Sequence, residues 1–209
     1  MNIKQVWRLL NEIGRKTIYV ENSLEEFHGQ SENYYKLEKS NDKWFYLFVK
    51  IERNSDGIRE EEKIFDNEEE ASKFYYLVQL STYYYKNHIN EFEIKNEDIH
   101  VGDLGFTKSN LKKALNRLDI EKRYYSLENI EKKHSICLER ITSDTRKVKF
   151  IGNDKKVVFE TIELKNWDAY TTVYQYVYGL YLLDQHCEEL IKKGEIEEPF
   201  SDEEYAIFF

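Results

Sequence analysis

An internal repeat is the feature that most constrains this chain's fold. Each half opens with an amphipathic helical pattern, formed by Ile3, Val6, Trp7, Leu10 and Ile13 in the first half and by Leu111, Ala114, Leu115 and Leu118 in the second. Each half closes with a longer apolar stripe at helix spacing. The first stripe starts at Ala71, and its match starts at Ala169, 98 residues later. These paired patterns predict a tandem duplication.

Between the helices, each half contains three segments typical of strands. We predict strands at 34–39, 44–51 and 58–65 in the first half and at 135–140, 146–151 and 157–164 in the second. Polar turns separate them at matching places, including Asp56-Gly57 and Gly152-Asn153-Asp154. We therefore expect an α+β fold, a tandem duplication of an αβββα unit in which helices pack a three-stranded antiparallel sheet. The alternative is one larger α+β domain whose elements match by chance.

The domain boundaries follow from this repeat. We assign residues 1–90 to a first, acidic unit, 91–106 to a linker, 107–194 to a second unit with a basic body, and 195–209 to a tail. The tail is acidic and then ends in Tyr205, Ala206, Ile207, Phe208 and Phe209. Because so apolar a run seldom stays in water, we expect it to pack on the chain's own core or on a partner, which includes a homo-oligomer contact.

Charge is distributed unevenly along the chain, whose formal net charge is −9. Residues 1–104 hold 14 basic against 21 acidic side chains, residues 105–187 hold 15 against 11, and residues 188–209 hold 2 against 8. Such an acidic chain is not a typical nucleic-acid binder, although its basic middle part could attract an acidic partner.

Signals for export or membrane insertion are missing from the sequence. The opening segment is amphipathic and charged, and no run of eighteen apolar residues occurs. Two cysteines, Cys137 and Cys187, cannot make a disulfide framework. We therefore expect a cytoplasmic protein that has no membrane partner.

Signals for metal, nucleotide or nucleophilic chemistry are equally weak. The only close His/Cys pairs are His134 with Cys137 and His186 with Cys187, and their spacing is not that of a structural zinc site. Neither a G-x-S-x-G, a G-x-G-x-x-G nor a P-loop pattern occurs. We therefore expect no metal, no cofactor and no catalytic activity.

One pattern does resemble an enzyme site. Asp154, followed by Glu163-Leu164-Lys165 at the end of a predicted strand, resembles the acid…Glu-x-Lys arrangement of the PD-(D/E)xK nucleases. The resemblance implies that Asp154 and Glu163 bind a divalent cation and that Lys165 polarises the attacking water. Glu-x-Lys arises readily by chance in a chain this charged, and Asp154 falls in a turn, so a solvated strand edge is the simpler interpretation.

An acidic cluster is the best candidate for a binding surface. It crowds one predicted strand and the start of the next helix, and its members are Glu60, Glu61, Glu62, Asp66, Glu68, Glu69 and Glu70. Acids near a helix N-terminus interact favourably with the helix dipole, but this cluster exceeds what one helix needs. A basic protein partner would relieve its self-repulsion. A solvated face is the alternative interpretation.

We therefore predict a non-catalytic interaction protein of the inhibitor or immunity type, from a bacterium or a phage. It would block a basic partner such as a nuclease or a defence complex, using the acidic cluster together with Tyr83 and Tyr84. The alternative is nucleic-acid binding through the basic stretch 108–156. Its cations are Lys112, Lys113, Arg117, Lys132, Lys133, Arg146, Lys147 and Lys149.

Overall fold

The computed structural model describes residues 1–29, 32–51 and 58–209 of the chain. The predicted turn at Asp56-Gly57 lies outside these residues. The fold is α+β, with helices and antiparallel sheets, as the sequence predicted. The chain divides into two compact units, residues 1–80 and residues 81–209.

The first unit contains a five-stranded sheet. Its elements are α1 (Ile3–Glu12), β1 (Thr17–Val20), β2 (Ser23–Glu26), β3 (Tyr34–Ser40), β4 (Lys43–Lys50), β5 (Ile58–Phe65) and α2 (Glu68–Tyr84), the last of which runs past the point of division. The strand order is β1-β2-β3-β4-β5, and every neighbouring pair is antiparallel. The predicted three-stranded sheet is therefore wrong here. The hairpin of β1 and β2 escaped prediction because each strand has only four residues and no alternating pattern of burial.

One sheet face of the first unit carries the core. Leu37 on β3 pairs with Tyr46 on β4, and the Tyr46 ring packs against the ring of Tyr75 on α2 at 6.2 Å between centroids. The helix α1 buries Val6 and Leu10 completely. Packing of an apolar helix stripe on one sheet face is the standard solution for an α+β unit.

A partly buried carboxylate connects the layers of this unit. Glu26 on β2 accepts hydrogen bonds from Arg15 Nη2 at 2.7 Å and from Gln79 Nε2 on α2 at 2.9 Å. Its second oxygen accepts the backbone N–H of Tyr35 on β3 at 2.9 Å. Arg15 also donates from Nε to Gln79 Oε1 at 2.9 Å. Because these polar groups are largely buried, each needs its partners, and together they hold α2 over the sheet.

The second unit contains a smaller sheet and more helix. After a π-helical segment (Tyr85–Ile89) come α3 (Asn90–Lys95), a 3₁₀ turn (Glu97–Ile99), α4 (Lys108–Arg117), β6 (Tyr125–Ser126), β7 (Ser135–Arg140), β8 (Thr145–Ile151), β9 (Val157–Glu160), β10 (Leu164–Lys165), α5 (Asn166–Lys192) and α6 (Asp202–Phe208). The strand order is β10-β8-β7-β6, with β9 also paired to β8. The two-residue β6 runs parallel to β7, and the other pairs are antiparallel. The prediction did not include β6.

The predicted strand 157–164 is split into β9 and β10 on one edge of β8. Arg146 and Lys149 pair with β7 on one side and with β10 and β9, respectively, on the other. Thr161 interrupts the strand, because its backbone N–H donates to Val148 O at 2.9 Å and its Oγ1 accepts from Val148 N at 3.1 Å. A side-chain oxygen therefore replaces one bond of the ladder.

Residues 91–106, predicted as a linker, include α3 and the 3₁₀ turn, and Ile99 and Phe106 within them are buried. The apolar tail forms α6, which begins with a capping box between Ser201 and Glu204. It packs on the second unit, where Phe208 lies against Gly179 of α5 so closely that a Cβ on that glycine would stand 3.0 Å from the ring. In the described part of the chain, no helix combines the length and apolarity needed to cross a bilayer.

The helices α1 and α4 match in detail. Each has ten residues, and each is capped at its N-terminus by a side chain, from Asn2 and Thr107 respectively. Their C-terminal turns close alike: Arg15 N donates to Leu10 O at 2.9 Å, and Ile120 N donates to Leu115 O at 3.1 Å. The two leucines therefore occupy equivalent places.

Replacing Leu10 or Leu115 by Ala should lower the free energy of unfolding by about 2–5 kcal/mol in each case, because a fully buried side chain leaves a cavity. Urea denaturation followed by circular dichroism measures the loss. Leu104→Ala, at a side chain that is 80% exposed, is the control and should change stability by less than about 0.5 kcal/mol. A large loss at only one leucine would contradict the equivalence of the two helices.

Candidate functional site

The acidic cluster lies on an open edge of the first unit's sheet. Among the described residues, β5 pairs only with β4, and every residue from Ile58 to Ile64 is exposed. All seven acids predicted as contacts are exposed as well. An edge strand leaves a row of backbone N–H and C=O groups available to another chain. We call the segment from Ile58 to Glu70 the acidic edge.

A β-bulge shapes this edge. Tyr46 pairs with Lys63 and Leu47 pairs with Glu61, so Glu62 is the extra residue on β5. Bulges and charged side chains are common devices against unwanted strand pairing. Like charges would repel a second copy of this edge, whereas a strand with basic side chains would be attracted. The acidic edge is therefore selective about which strand could lie beside it.

Some of the acids are neutralised inside the first unit. Lys50 forms an ion pair with Glu60, and Lys43 Nζ lies 3.3 Å from Asp66 Oδ1. Both pairs are exposed to solvent, where an ion pair contributes about 0–1 kcal/mol. They reduce the local charge without adding much stability.

Two further acids serve the start of α1. Glu68 Oε1 accepts the backbone N–H of Ile3 at 3.0 Å. Glu69 Oε1 lies 3.5 Å from the N-terminal ammonium group and 3.4 Å from Lys73 Nζ. The N-terminal ammonium, and then Lys73, lower the pKa of Glu69 below its ordinary value. These two carboxylates hold the N-terminus beside α2.

Three acids remain without such a partner. Glu61, Glu62 and Glu70 make no ion pair with any described residue, and all three are exposed. Exposed isoleucines lie near both ends of the strand, Ile58 at 45% and Ile64 at 44% exposure. The acidic edge thus combines uncompensated negative charge, apolar side chains and free backbone groups, which together are features of a protein-binding surface.

The predicted contact tyrosines fall in the second unit. Tyr84 is only 8% exposed, and its ring packs against those of His186 and Phe208 at 6.0 and 6.1 Å between centroids. Burial raises the pKa of Tyr84. Tyr83 is half-buried, and Tyr85 is 47% exposed. Tyr84 is therefore a core side chain, and Tyr85 is the most accessible of the three.

Half of the predicted cations in the basic stretch 108–156 form ion pairs with local acids. Arg117 donates to Asp98 in a bidentate pair, at 2.8 and 3.1 Å, and Lys113 Nζ lies 2.6 Å from the same carboxylate. Hydrogen bonds from Arg117, and then from Lys113, hold the pKa of Asp98 well below its usual range. These two cations are therefore engaged inside the unit.

The cations on the sheet are engaged too. Lys147 pairs with Glu160, and Lys149 pairs with Glu139 at 2.9 Å between Nζ and Oε2. Arg146 Nε donates to a tyrosine hydroxyl at 3.1 Å. Of the eight predicted nucleic-acid-binding cations, Lys112, Lys132, Lys133 and Arg146 make no ion pair with a described residue.

Two of these lysines, Lys112 and Lys132, line a cavity of about 320 Å³ in the second unit. Lys122 and Asn116 line it as well, and the sequence analysis did not single them out. Asn116 follows Lys112 by four positions on α4, a spacing that places two side chains on the same helix face. This helix spacing is the only sequence pattern that could have indicated Asn116, and no comparable pattern indicates Lys122.

The three residues of the nuclease pattern do not come together. Asp154 lies in the turn that follows β8, whereas Glu163 accepts a hydrogen bond from Thr145 Oγ1, and Lys165 pairs with Thr145 at the other end of β8. At about 3.3 Å per residue, the two ends of this seven-residue strand are about 20 Å apart. One cation could not bind both carboxylates. Nowhere in residues 1–29, 32–51 and 58–209 do three His, Cys, Asp or Glu side chains form a possible metal site.

The sequence analysis did not identify a largely buried polar cluster in the second unit. Asp184 on α5 lies 2.8 Å from His134 Nε2 and accepts the Tyr205 hydroxyl of α6 at 2.6 Å. Burial alone would raise the pKa of Asp184, but the hydrogen bonds from His134 and Tyr205 outweigh it, so the pKa is lowered. The cluster fastens α6 to α5. Its members are 50 and 21 positions apart, so no local pattern indicates it.

Comparison of the chain with models of protein families, with curated proteins and with solved structures gave no match.

Burial of His186 should make the stability of the protein depend on pH. Burial lowers the pKa of His186 to about 4, with a small opposing effect of Glu189. The unfolded chain takes up this proton near the ordinary pKa of about 6.5, so stability is full above that pH and falls as the pH drops towards 4. The loss should be about 3 kcal/mol at most.

Urea denaturation between about pH 7 and pH 4 measures this dependence, and His186→Gln should flatten it. His100→Asn is the matched control, because the His100 side chain is 64% exposed and its left-handed backbone is tolerated by asparagine. An unchanged pH profile in the His186 variant would contradict the assignment.

Proposed function

We propose that this chain is a non-catalytic interaction protein, of the inhibitor or immunity type, that blocks a basic protein partner. The contact surface is the acidic edge of the first unit. The observation that carries this proposal is a group of three exposed carboxylates without a basic partner in the described part of the chain: Glu61 and Glu62 on the open edge strand β5, and Glu70 in the first turn of α2. A basic partner such as a nuclease or a defence complex would supply the missing cations.

The charge of the acidic edge favours a protein over a nucleic acid as partner. Its carboxylates would repel a phosphate backbone, and non-specific nucleic-acid binding depends on the opposite sign of charge. Interfacial charges of this kind mainly accelerate association and exclude wrong partners. Binding should therefore weaken as the ionic strength rises, because exposed charges are screened beyond about 8–10 Å.

A partner could bind this edge by adding a strand beside β5. Backbone hydrogen bonds would then give affinity, and alternate side chains of the added strand would give specificity. Ile58 and Ile64 would provide apolar contacts near both ends. Basic side chains on the added strand would meet Glu61 and Glu62, and the bulge at Glu62 would limit the length of regular pairing.

We also propose that the two units arose by tandem duplication of one αβββα unit. Support comes from the matching helices α1 and α4 and from the order β3, β4, β5, which corresponds to β7, β8 and the divided strand β9–β10. The closing helices agree in burial as well. Ala71 and Tyr75 on α2 and their counterparts 98 positions later, Ala169 and Val173 on α5, are all fully buried.

Charge reversal on the acidic edge should abolish partner binding without unfolding the chain. The triple variant Glu61→Lys, Glu62→Lys and Glu70→Lys breaks no ion pair among the described residues, so its circular dichroism should match the wild type. The immobilised wild-type chain should retain a basic protein from a nuclease-treated lysate of the organism that encodes it, identified by mass spectrometry. The variant should lose it, by about tenfold or more in affinity once that protein is purified.

The control reverses three exposed acids of the second unit, Glu188→Lys, Glu197→Lys and Glu198→Lys, and should retain the same protein. An equal loss of partner binding in both triple variants would mean that only the net charge of the chain matters. Binding that disappears on nuclease treatment, or a purified chain that binds duplex nucleic acid with a steep salt dependence, would overturn the proposal.

A further inference from the structure

A positively charged cavity lies in the second unit. Its volume is about 320 Å³, which falls at the lower end of the range for small-molecule sites. Lys112 and Asn116 of α4 form one wall, and Lys122, Tyr125 and Lys132 contribute from the segment that follows. The chain as a whole is acidic, at −9, so a cavity with three lysines is an exception that its composition does not explain.

The three lysines of the lining make no ion pair with a described residue. Lys132 Nζ donates to the backbone carbonyls of Lys122 at 2.8 Å and Tyr125 at 3.1 Å, which fixes its position without an opposite charge. Like charges on one cavity wall repel one another, and a bound anion would relieve that repulsion.

The one carboxylate on the cavity wall is already paired. Glu128 Oε1 lies 2.6 Å from Lys108 Nζ, and this contact lowers the pKa of Glu128. Lys108 does not line the cavity. Lys112 contributes a smaller lowering of the same pKa, so the cavity wall holds three lysines against one carboxylate that is paired mainly with Lys108.

Apolar side chains complete the cavity. Tyr125 and Leu127 are largely buried, whereas Ile130 is 57% exposed. The polar group suited to orient a ligand is the Asn116 amide, because the Ser126 hydroxyl already accepts the backbone N–H of Ile130 at 3.0 Å and hydrogen-bonds the Cys137 sulfur. A ligand that complements both the lysines and the apolar side chains of the cavity has an anionic group and a flat, partly apolar body.

We propose that this cavity binds a phosphate monoester of mononucleotide size. A phosphate monoester carries nearly two charges at neutral pH, so three ammonium groups match it better than they match a single carboxylate. The base would lie along Tyr125, Leu127 and Ile130, with the Asn116 amide as the hydrogen-bonding group. The site belongs to the second unit and is independent of the proposed function of the acidic edge.

Calorimetric titration of the full chain with AMP, UMP, adenosine and inorganic phosphate tests this proposal. Both mononucleotides should bind saturably at one site, phosphate should bind more weakly, and adenosine should not bind, because it lacks the charged group. The double variant K112A/K122A should lose affinity for AMP by about tenfold for each lysine removed. Its fold should persist, since neither lysine makes an ion pair with a described residue.

Two further variants separate a formed site from diffuse charge. K133A removes an exposed lysine that is adjacent in sequence but does not line the cavity, and it should bind AMP like the wild type. K112R/K122R keeps the charges and should retain most of the affinity for phosphate. No saturable binding of AMP or phosphate, or an equal loss in K133A and K112A/K122A, would overturn the proposal.

A last comparison distinguishes a free mononucleotide from the end of a strand as the natural ligand. A short single-stranded oligonucleotide with a 5′-phosphate presents the same phosphate monoester as AMP. If the strand end is the ligand, the phosphorylated form should bind more tightly than AMP and than its unphosphorylated form. If a free mononucleotide is the ligand, AMP should bind more tightly. Equal binding of both oligonucleotides, unaffected by K112A/K122A, would contradict a phosphate monoester site altogether.

Discussion

Each unit contains one partly buried carboxylate that joins several elements through hydrogen bonds. In the first unit, Glu26 connects the end of α1, the sheet and α2 through Arg15 and Gln79. In the second, Asp184 connects α5 with α6 and His134. A charged group with little access to solvent is costly to leave without its partners, so these contacts hold the elements they join in place.

The strand order of the first unit's sheet places β5 at an edge, and an open edge has to be protected. The bulge at Glu62 and the run of charges from Arg59 to Lys63 serve that purpose, because they oppose pairing between two copies. The same side chains therefore protect the open edge and would take part in partner binding. The charges that prevent self-association are those that would select a basic partner.

The sequence carried enough information for the elements with regular periodicity. The helices α1, α4 and α5 and the strands β3, β4, β7 and β8 lie close to their predicted places because apolar side chains recur there at helix or strand spacing. Short strands such as β1, β2 and β6 have too few residues for a period to emerge, and the break at Thr161 depends on a side-chain hydrogen bond. Distance along the chain explains the missed sites in the same way, since His134, Asp184 and Tyr205 meet only through tertiary packing.

The two units differ more in charge than in the order of their helices and strands. Within 108–156, half of the predicted nucleic-acid-binding cations form ion pairs with neighbouring acids such as Asp98, Glu139 and Glu160. The cations without an ion pair to a described residue include the three lysines of the cavity, whereas in the first unit the unpaired acids include two carboxylates on β5 and one at the start of α2. Partner choice therefore depends on the charges that local pairing leaves over. A sequence count of charges cannot separate these residual charges from the paired ones, because pairing is a property of the folded chain.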